Sequence, residues 1–320
     1  MKRIAVLTSG GDCSGMNAVI RAVVRAAQPE GLEVLGIKKG YRGLLERDFE
    51  ILTSFQISNV LQRGGTFLQS ARCREMREEA GLERAAGNLH GLGVEGLVVI
   101  GGDGSLQGGM ALHRKGIPVI GIPASIDNDI PFTDLSLGVD SALNNILYAV
   151  DCLKDTASSH DRAFVVEVMG RNCGYLTLMA AVACGAEHAL IPELAYDLDE
   201  ICKNLRKRYM EGRSNSIIMV AEGVAEAHVI AEQIKDCGGF ETRLMVLGHY
   251  QRGGSPSSFD RLLGSRFGQG AVEALIAGES GKMIGLLGSK LQLTDLETVF
   301  SAGMRPIDPD LIALANKLVR

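Results

Sequence analysis

The stretch VIGIPASIDND, residues 119–129, joins a run of aliphatic residues directly to two carboxylates, Asp127 and Asp129. Similar short apolar runs, rich in β-branched residues, occur in IAVLTS at residues 4–9 and in LVVIGGDGS at residues 97–105. Strands that are apolar on both faces and alternate with helices are typical of a parallel sheet covered by helices. The sequence therefore predicts an α/β fold in which one buried strand ends at a pair of acids.

The segments between these runs have the periodicity of helices. From Val19 onward, apolar side chains recur at i, i+3, i+4 and i+7, and Gly31 can end the helix. A second amphipathic helix is predicted from about residue 140 to residue 153. The alternation continues through four further aliphatic runs, at residues 163–170, 188–193, 216–223 and 246–254.

Length and composition narrow the class of protein. The chain has 320 residues, which at roughly 100 to 200 residues per domain predicts two domains. The formal net charge of -5 argues against a broad basic face for nucleic acid, so any phosphate site is expected to be local. The seven cysteines include no CxxC pair and no Cys/His cluster, which predicts reduced thiols in the cytoplasm and argues against structural zinc.

Two apolar stretches raise the question of secretion or membrane insertion. The run after Lys2 and Arg3 stops at Leu7, which is too short for the core of a signal peptide. The longest apolar stretch, residues 176–186, is too short to cross a bilayer as a helix. We therefore expect no membrane segment.

Polar residues follow three of the predicted strands, in the sequences TSGGD, GGDGS and SIDND. In an open parallel sheet, ligands bind beyond the carboxyl ends of the strands, where glycines let backbone N–H groups approach a phosphate. Acids there would repel the phosphate unless a divalent cation or a transferable proton lies between them. Asp103, Asp127 and Asp129 are therefore interpreted as a magnesium ligand and a general base for phosphoryl transfer. The alternative is that IDND is only a turn.

Each glycine motif is weak by itself and leaves other functions open. GGDCSG at residues 10–15 could bind a dinucleotide, but the next strand ends in Lys38 and Lys39, where a ribose-binding acid would be expected. A dehydrogenase is therefore disfavoured. The chain has neither a Walker loop nor the protein-kinase HRD and DFG motifs. GGDG also resembles the nucleotide loop of NAD kinases and lipid kinases, and a catalytically idle nucleotide sensor would retain it without needing a base.

Taken in order, the motifs resemble those of the bacterial ATP-dependent 6-phosphofructokinase family, and the resemblance covers nearly the whole chain. They are LTSGGD with GMNA (7–18), RGGTFLQSAR (63–72), GGDGS (101–105), PASIDND (123–129), SSH.R (158–162), VEVMGR (166–171), AEG (221–223) and LGHYQRGGSP (247–256).

The resemblance implies two doubly wound, mainly parallel sheet domains with the active site in the cleft between them. The nucleotide-binding domain would comprise residues 1–138 plus 251–301, and the sugar-phosphate domain residues 139–250 plus 302–320. The implied reaction is Mg²⁺- and ATP-dependent phosphorylation of the C1 hydroxyl of fructose 6-phosphate in glycolysis. A pyrophosphate-dependent enzyme, or a kinase of another sugar phosphate, stays open as the alternative.

The same resemblance assigns roles to residues on the nucleotide side. Asp127 would take the proton from the C1 hydroxyl, Asp129 and Ser125 would support it, and Asp103 would hold Mg²⁺. Arg72 and Arg171 fit as clamps on the transferring phosphoryl group, which needs its charge neutralised. The implied nucleotide-binding residues are Gly11, Tyr41, Arg72, Cys73, Gly102, Asp103, Gly104, Ser105 and Gly108.

On the sugar side, the implied contacts are polar or arginine-rich, since the planar guanidinium binds two phosphate oxygens at once. Arg162 and Arg243 would be donated by a neighbouring subunit, so the resemblance implies a homotetramer. The contacts within one subunit would be Ser125, Asp127, Met169, Gly170, Arg171, Glu222, His249 and Arg252.

Two positions bear on the phosphoryl donor. The family's usual PGTIDND reads PASIDND here, so that Ala124 stands where glycine is usual. In pyrophosphate-dependent relatives the positions of Gly104 and Ala124 tend to carry Asp and Lys, which fill the space of the α-phosphate. Small residues at both positions predict that a nucleotide triphosphate fits.

The family also binds ADP or phosphoenolpyruvate as an effector at a basic cluster on a subunit boundary. Ser54 and Glu211 stand at positions that are commonly basic, which predicts weak or altered allostery. The residues that match the effector site are Arg21, Arg25, Lys154, Arg213 and the acid Glu187.

Overall fold

Strands alternate with helices along the computed structural model, which describes residues 1–158, 162–212, 215–238 and 241–318. The strands are β1 (Arg3–Ser9), β2 (Glu33–Ile37), β3 (Phe49–Ile51), β4 (Gly96–Gly101), β5 (Val119–Pro123), β6 (Ala163–Val168), β7 (His188–Leu190), β8 (Ser216–Ala221), β9 (Thr242–Val246), β10 (Lys282–Leu287) and β11 (Lys290–Asp295).

Most of the helices follow a strand and return the chain to the start of the next one. They are α1 (Met16–Ala27), α2 (Gly40–Glu46), α3 (Glu79–Gly91), α4 (Asp103–Arg114), α5 (Val139–Ser158), α6 (Tyr175–Cys184), α7 (Leu198–Met210), α8 (Ala227–Gly238), α9 (Ser258–Ile276), α10 (Leu296–Ser301) and α11 (Pro309–Leu318). Two short 3₁₀ helices cover Glu75–Arg77 and Gly248–Arg252.

The chain divides into two compact units. The larger unit comprises Met1–Ile126, Ile130–Ser141 and Arg252–Arg305. The smaller unit comprises Asp127–Asp129, Ala142–Gln251 and Pro306–Arg320.

A sheet in the order β11-β10-β5-β4-β1-β2-β3 forms the centre of the larger unit. Strands β1, β2, β4, β5 and β10 are parallel to their neighbours within this group, whereas β3 and β11 pair antiparallel at the two edges. Ala5 and Leu7 pack in a buried cluster with side chains of α2 and α3, while Gly96 of β4 lies against Leu275 of α9. Helices therefore cover both faces of this sheet, as the uninterrupted apolar runs predict.

The smaller unit has a fully parallel sheet in the order β7-β8-β6-β9. One of its cores joins Val165, Ile218 and Val220 to apolar side chains of α7 and α8. The predicted α/β class, with two mainly parallel sheets, is confirmed. Within the described ranges, no helix combines the length and apolar character that crossing a membrane requires.

The cysteines depart from expectation at one place. Cys202 of α7 and Cys237 of α8 form a disulfide, with their Cα atoms 5.9 Å apart. The prediction that all thiols are reduced is therefore wrong for this pair. The spacing of 35 residues gives no sequence signal for such a bond, because only the packing of α7 against α8 brings the two side chains together. The cysteines described as free are Cys13, Cys73, Cys152, Cys173 and Cys184.

Candidate active site

Three of the predicted ligand-binding loops leave the large sheet from one level. Strands β5, β4 and β1 are adjacent and parallel, and Gly101 is the register partner of both Ser9 and Pro123. The loops that follow these three residues therefore start side by side at the carboxyl edge. In the sheet, β2 lies on one side of β1 and β4 lies on the other, so the strand order reverses at β1. Such a reversal is a topological switch point, where α/β proteins bind ligands.

The second of these loops leads directly into a helix. Gly102 precedes α4 in an extended conformation, and Asp103 is the first residue of the helix. The Gln107 side chain donates a hydrogen bond of 2.8 Å to Asp103 Oδ2 and so orients this carboxylate. A Cβ atom added at Gly104 would meet no other atom of the described part of the chain within 4 Å. The start of α4 therefore combines exposed N–H groups, open space and one oriented acid, a combination suited to a metal-bound phosphate.

Burial alternates along the third loop. Ile126, Asn128 and Ile130 are 3%, 2% and 2% exposed, respectively. The residues between them, Ser125, Asp127 and Asp129, are half-buried. The hydroxyl and both carboxylates that the sequence singles out thus occupy the more accessible positions. Asn128 adopts a left-handed conformation with φ of 54°, which lets a tight turn separate the two acids.

The first loop is contacted by residues that follow β3 and β9 in the sequence. Ser70 Oγ donates a 2.6 Å hydrogen bond to the carbonyl of Gly10, which holds the segment leading into Arg72 and Cys73 against the loop. The guanidinium of Arg252 lies on Gly11 and donates from Nη1 to the carbonyl of Asp12 over 3.2 Å. In this structure Arg252 therefore packs on the glycine-rich loop of the larger unit.

Tyr41 lies beneath α4. Its hydroxyl donates a 2.6 Å hydrogen bond to the carbonyl of Ser105, and its ring packs against Gly108. The residue is 4% exposed, and burial raises the pKa of its phenol well above the ordinary value. This placement favours a role in holding α4 in position.

The smaller unit gathers a second set of predicted residues at one edge of its own sheet. Val168 of β6 is level with Ala221 of β8, and Glu167 is level with Val246 of β9. The predicted sugar-phosphate residues that follow these carboxyl ends are Met169, Gly170, Arg171, Glu222 and His249.

A very close backbone contact joins two of these loops. A Cβ atom added at Gly223 would lie 1.8 Å from the carbonyl oxygen of Arg171, so only glycine fits there. The N–H of Glu222 donates to the carbonyl of Val168 over 2.9 Å. Arg171 and Glu222 are therefore held beside each other at the edge of the sheet.

The carboxylates of the third loop influence a buried thiol in the smaller unit. Cys173 is 3% exposed, and its pKa is raised to about 11, chiefly by burial and further by Glu193, Asp129 and Asp127. Asp127 and Asp129 thus lie within electrostatic range of the loop that follows Arg171. The catalytic pairing of Asp127 with Arg171 stays a prediction.

Gln251 is a residue of this edge that the sequence reasoning missed. It is 1% exposed, accepts the N–H of Met169 over 3.2 Å, and donates to the carbonyl of Gly248 over 3.1 Å. Gln251 therefore ties the loop after β6 to the 3₁₀ turn that carries His249. Its position inside the HYQRGG motif was the available signal.

Arg162 and Arg243 lie at the opposite end of the same sheet. Arg162 directly precedes β6, and Arg243 is the second residue of β9. Both contact Glu241, with a distance of 2.6 Å from Arg162 Nε to Glu241 Oε2. These contacts lower the pKa of the Glu241 carboxyl, Arg162 being the largest cause. The two arginines are paired with an acid at the amino edge, away from the other predicted sugar-phosphate residues. Glu241 gave no signal in the sequence.

The phosphofructokinase family model matches residues 3–275 of the chain. This protein belongs to the phosphofructokinase family. Three curated relatives named ATP-dependent 6-phosphofructokinase, from Halothermothrix orenii, Natranaerobius thermophilus and Thermotoga neapolitana, are each 49% identical to it. Each alignment covers 99% of this chain and at least 99% of the relative.

Solved phosphofructokinases share the fold. The Pichia pastoris enzyme in the T-state superposes with a TM-score of 0.89 at 36% identity, over 94% of this chain and 35% of the Pichia chain. The Saccharomyces cerevisiae structure gives 0.89 at 34% identity, over 100% of this chain and 50% of the yeast chain. This phosphofructokinase thus spans half or less of the two yeast chains. A pyrophosphate-dependent phosphofructokinase from Marinobacter aquaeolei has a TM-score of 0.86 at 21% identity, which shows the fold alone.

The residues predicted to form an effector site fall in both units. Arg21 and Arg25 line a cavity of about 400 Å³ between α1 and α9 in the larger unit, and Arg25 Nη1 lies 3.5 Å from Ser54 Oγ. In the smaller unit, Lys154 donates to the carbonyl of Cys184. Arg213, together with residues 159–161 of the SSH.R motif, lies outside the described residues.

The acid of that predicted site already has partners. Glu187 Oε2 accepts the N–H of Ile217 over 2.6 Å, and its other oxygen lies 3.5 Å from Arg208. The Glu187 side chain is 14% exposed. Arg208 was not among the residues singled out in the sequence, although a basic residue on an amphipathic helix gives little signal by itself.

Proposed function

We propose that this protein is an ATP-dependent 6-phosphofructokinase that transfers the γ-phosphoryl group of ATP to the C1 hydroxyl of fructose 6-phosphate. One observation carries the proposal: in a chain 49% identical over its length to three enzymes of that name, two glycine-rich loops and the acidic loop start at one sheet edge. The reaction would belong to glycolysis.

The nucleotide is assigned to the larger unit. Backbone N–H groups of the glycine loops can approach phosphate oxygens, and the positive end of the α4 dipole favours negative charge. The open space at Gly104 leaves room for a triphosphate. The residues proposed to bind ATP are Gly11, Arg72, Cys73, Gly102, Asp103, Gly104, Ser105 and Gly108, and Tyr41 is proposed to support them by holding α4 in position.

Asp103 is proposed to hold Mg²⁺. Within the described part of the chain, no cluster of three or more His, Cys, Asp or Glu side chains forms a metal cage. That fits magnesium, which keeps several waters and is usually bound by one or two carboxylates together with substrate phosphates. An oriented carboxylate on a glycine loop supplies such a ligand. When bound, the ion neutralises charge on the phosphate oxygens.

Asp127 is proposed as the general base. Its carboxylate would accept the proton of the C1 hydroxyl as that oxygen attacks the γ-phosphorus, with Asp129 and Ser125 supporting its position. Arg171 would balance the charge that spreads over the equatorial oxygens of the transferring group. No covalent intermediate on the protein is required, because positioning and charge stabilisation supply the catalysis.

The sugar phosphate is assigned to the carboxyl edge of the smaller sheet. Met169, Gly170, Arg171, Glu222 and His249 follow that edge, and Arg252 completes the set assigned to one subunit. We propose that Arg162 and Arg243 come from a neighbouring subunit, which makes the enzyme a homotetramer. Their position at the amino edge, away from the other residues assigned to the sugar phosphate, supports this assignment.

ATP is proposed as the donor in preference to pyrophosphate. Gly104 carries no side chain that could fill the α-phosphate space. Ala124 is buried, with 2% of its surface exposed, and its methyl group carries no charge, so it places no charged group in the α-phosphate space either. A kinase with the donor preference reversed would need a charged replacement at these positions.

The proposal also includes allosteric regulation and a cellular location. We propose weak or altered control by ADP or phosphoenolpyruvate through Arg21, Arg25, Lys154, Arg213 and Glu187, because Ser54 and Glu211 replace basic residues and charged hydrogen bonds are worth about 1.5 to 3 kcal/mol each. A strongly sigmoidal fructose 6-phosphate response that ADP relieves would contradict this. We also propose a cytoplasmic location, as expected for an enzyme of glycolysis.

A coupled assay tests the proposal directly. The purified protein would be supplied with ATP or pyrophosphate and with a panel of sugar phosphates, and the highest kcat/KM is expected for ATP with fructose 6-phosphate. A clear preference for pyrophosphate, or for a different sugar phosphate, would overturn the assignment. Asp127→Ser is expected to lower kcat by roughly 10²- to 10⁴-fold while KM changes little. Asp151→Ser, at an exposed acid on α5, is the matched control and should retain activity.

A further inference from the structure

Asp260, in the first turn of α9, is a completely buried carboxylate, with 0% of its surface exposed. Its Oδ1 accepts the N–H of Gly138 over 2.9 Å. Its Oδ2 accepts both the N–H of Ser141, over 2.8 Å, and the hydroxyl of Ser141, over 2.6 Å. The N–H of Ser257 in turn donates to the Ser141 hydroxyl over 2.9 Å. Three donors therefore converge on one acid that the proposed reaction does not use.

These donors surround the start of α5, whose first residue is Val139. The first N–H groups of a helix have no partner within the helix itself, and a carboxylate is well suited to satisfy them. Asp260 thus caps α5 from a different helix. Ser257 Oγ meanwhile accepts the N–H of Asp260 and caps α9. Asp260 of α9 thus holds the start of α5, and the Ser141 hydroxyl of α5 accepts the N–H of Ser257 at the start of α9.

The capped helix start is also the end of the acidic loop, residues 124–138. The two ends of this loop are joined, since the N–H of Leu137 donates to the carbonyl of Pro123 over 3.0 Å and Ala124 pairs with Leu137. The thiol of Cys13 donates to the carbonyl of Leu137 over 3.2 Å. Gly138, with φ of 94°, packs so closely on Cys13 that a Cβ atom would lie 2.5 Å from the Cys13 Cβ.

The middle of the loop is anchored as well. Ile130 belongs to a buried cluster with Leu106, Met283 and Leu296 of the larger unit. Ile126, on the other side of the acids, is 3% exposed. Asp127 and Asp129 therefore lie on a short stretch between two buried residues, Ile126 and Ile130. Further along, the loop ends at Gly138, which Asp260 holds.

We propose that Asp260 is a positioning residue for phosphoryl transfer: by holding Gly138 and Ser141, it fixes the closing end of the loop that carries Asp127. The inference rests on the proposed function of Asp127 as the base. Asp260 is sequestered from solvent and hence from both substrates, so it acts only through the loop. A displacement of about 1 Å at a reacting group can cost about 10²-fold in rate, which makes such a fixed point consequential.

The test compares Asp260→Asn with wild type in steady-state kinetics. Asparagine retains one oxygen for the N–H of Gly138 but turns an NH₂ group toward the two donors of Ser141. We expect kcat to fall by roughly 10- to 100-fold, as for a misplaced reacting group. KM for each substrate should stay within about twofold, since the residue leaves the binding contacts intact. Ser141→Ala removes one of the three donors to Asp260 and the acceptor of the Ser257 N–H. It should lower kcat less than Asp260→Asn, and adding it to Asp260→Asn should produce little further loss.

Leu275→Ala is the matched control. Leu275 lies on the same helix, is 2% exposed and contacts β4 at Gly96, so its truncation destabilises the larger unit without touching the α5 cap. At a temperature where all variants are folded, its kcat should remain within about twofold of wild type. Equal kcat losses in Leu275→Ala and Asp260→Asn would overturn the inference, because the effect would then follow from stability alone.

Hydrogen exchange at the amides of Gly138 and Ser141 separates the two proposals. Faster exchange in Asp260→Asn together with the expected fall in kcat supports the inference. Faster exchange with unchanged kcat overturns it and leaves the proposed function standing. A wild-type protein that is inactive with ATP and fructose 6-phosphate removes the proposed function and this inference with it.

Should Asp260→Asn fail to fold, Ser141→Ala carries the same comparison, and an unchanged kcat with faster exchange there would likewise overturn the inference.

Discussion

Arg243 and His249 stand at opposite ends of strand β9. Arg243 is the second residue of Thr242–Val246, whereas His249 follows the strand in the turn Gly248–Arg252. A five-residue strand spans roughly 16 Å, so the two side chains emerge at different edges of the sheet. If both contact one sugar phosphate, as proposed, the arginine must come from another subunit.

Subunit mixing tests this arrangement. Asp127→Ser and Arg243→Ala should each be nearly inactive alone, since the first lacks the base and the second lacks a phosphate contact. In hybrids from co-expression, a site that takes Asp127 from one subunit and Arg243 from its neighbour has its full set of residues. With random pairing about a quarter of the sites should be intact, so activity should recover to about that fraction of wild type.

The control for mixing is a subunit that carries both substitutions. Hybrids of Asp127→Ser with the double variant contain no intact base and should stay inactive. Sedimentation would verify that hybrids of the expected size form. Hybrids of the two single variants that assemble but show no recovery would contradict the shared site.

The donor preference can be tested at Gly104. A Cβ atom added there meets no atom of the described residues within 4 Å, so Gly104→Asp should leave the melting temperature nearly unchanged. Its carboxylate would repel the triphosphate, and we expect kcat/KM for ATP to fall roughly 10- to 100-fold, equivalent to about 1.4 to 2.8 kcal/mol. Gly87→Asp, at an equally open position in α3, adds the same charge elsewhere and should retain the wild-type value. Unchanged ATP kinetics in Gly104→Asp would remove the steric and electrostatic argument for ATP.

Much of the fold and the position of the loops could be predicted because they follow from local pattern. Continuous apolar runs indicate buried parallel strands, and parallel strands must place their carboxyl ends at one edge. Hence Asp103 and the acids of the third loop could be interpreted together from the amino-acid sequence alone. In the structure, Ser9, Gly101 and Pro123 are aligned across the three strands, as that prediction requires.

The contacts that could not be predicted are those made by packing between distant segments. Asp260 meets Gly138 across 122 residues of sequence, and its neighbour pattern Ser-x-x-Asp indicates only a helix start. Glu241 pairs with Arg162 across 79 residues. The Cys202–Cys237 bond likewise depends on how two helices lie together. Composition and periodicity contain no information about such pairings.

His188 should make the protein sensitive to acid. Its Nε2 is buried and has no hydrogen-bond partner among the described residues, and burial, followed by the positive charge of Arg208, lowers its pKa from 6.5 to about 4. The unfolded chain therefore binds a proton at higher pH than the folded one, so stability falls as the pH drops below 6.5, and the loss ends below about 4. Between pH 7.5 and pH 5 the free energy of unfolding should fall by on the order of 2 kcal/mol from this group.

Urea unfolding across this pH range measures the effect. His188→Phe retains a ring of similar size without a titrating group, so its stability should vary less between pH 6.5 and pH 5 than that of wild type. Above pH 7 the two curves should run parallel, which serves as the internal control. Equal slopes at every pH would show that another group causes the acid sensitivity.

The bond between Cys202 and Cys237 should stabilise the smaller unit. It closes a loop with a sequence separation of 35, and a cross-link of this length restricts the unfolded chain by roughly 3 to 4 kcal/mol in the loop-entropy model. Reduction with dithiothreitol should therefore lower the unfolding free energy by about 2 to 4 kcal/mol. The double variant Cys202→Ala/Cys237→Ala should start at the lower stability and not respond to the reductant.

Thiol titration in denaturant offers an independent check, because the chain has seven cysteines and five of them are free. Two further thiols should appear only after reduction, and a protein that shows all seven beforehand, when purified without reductant, lacks the bond and should be insensitive to dithiothreitol.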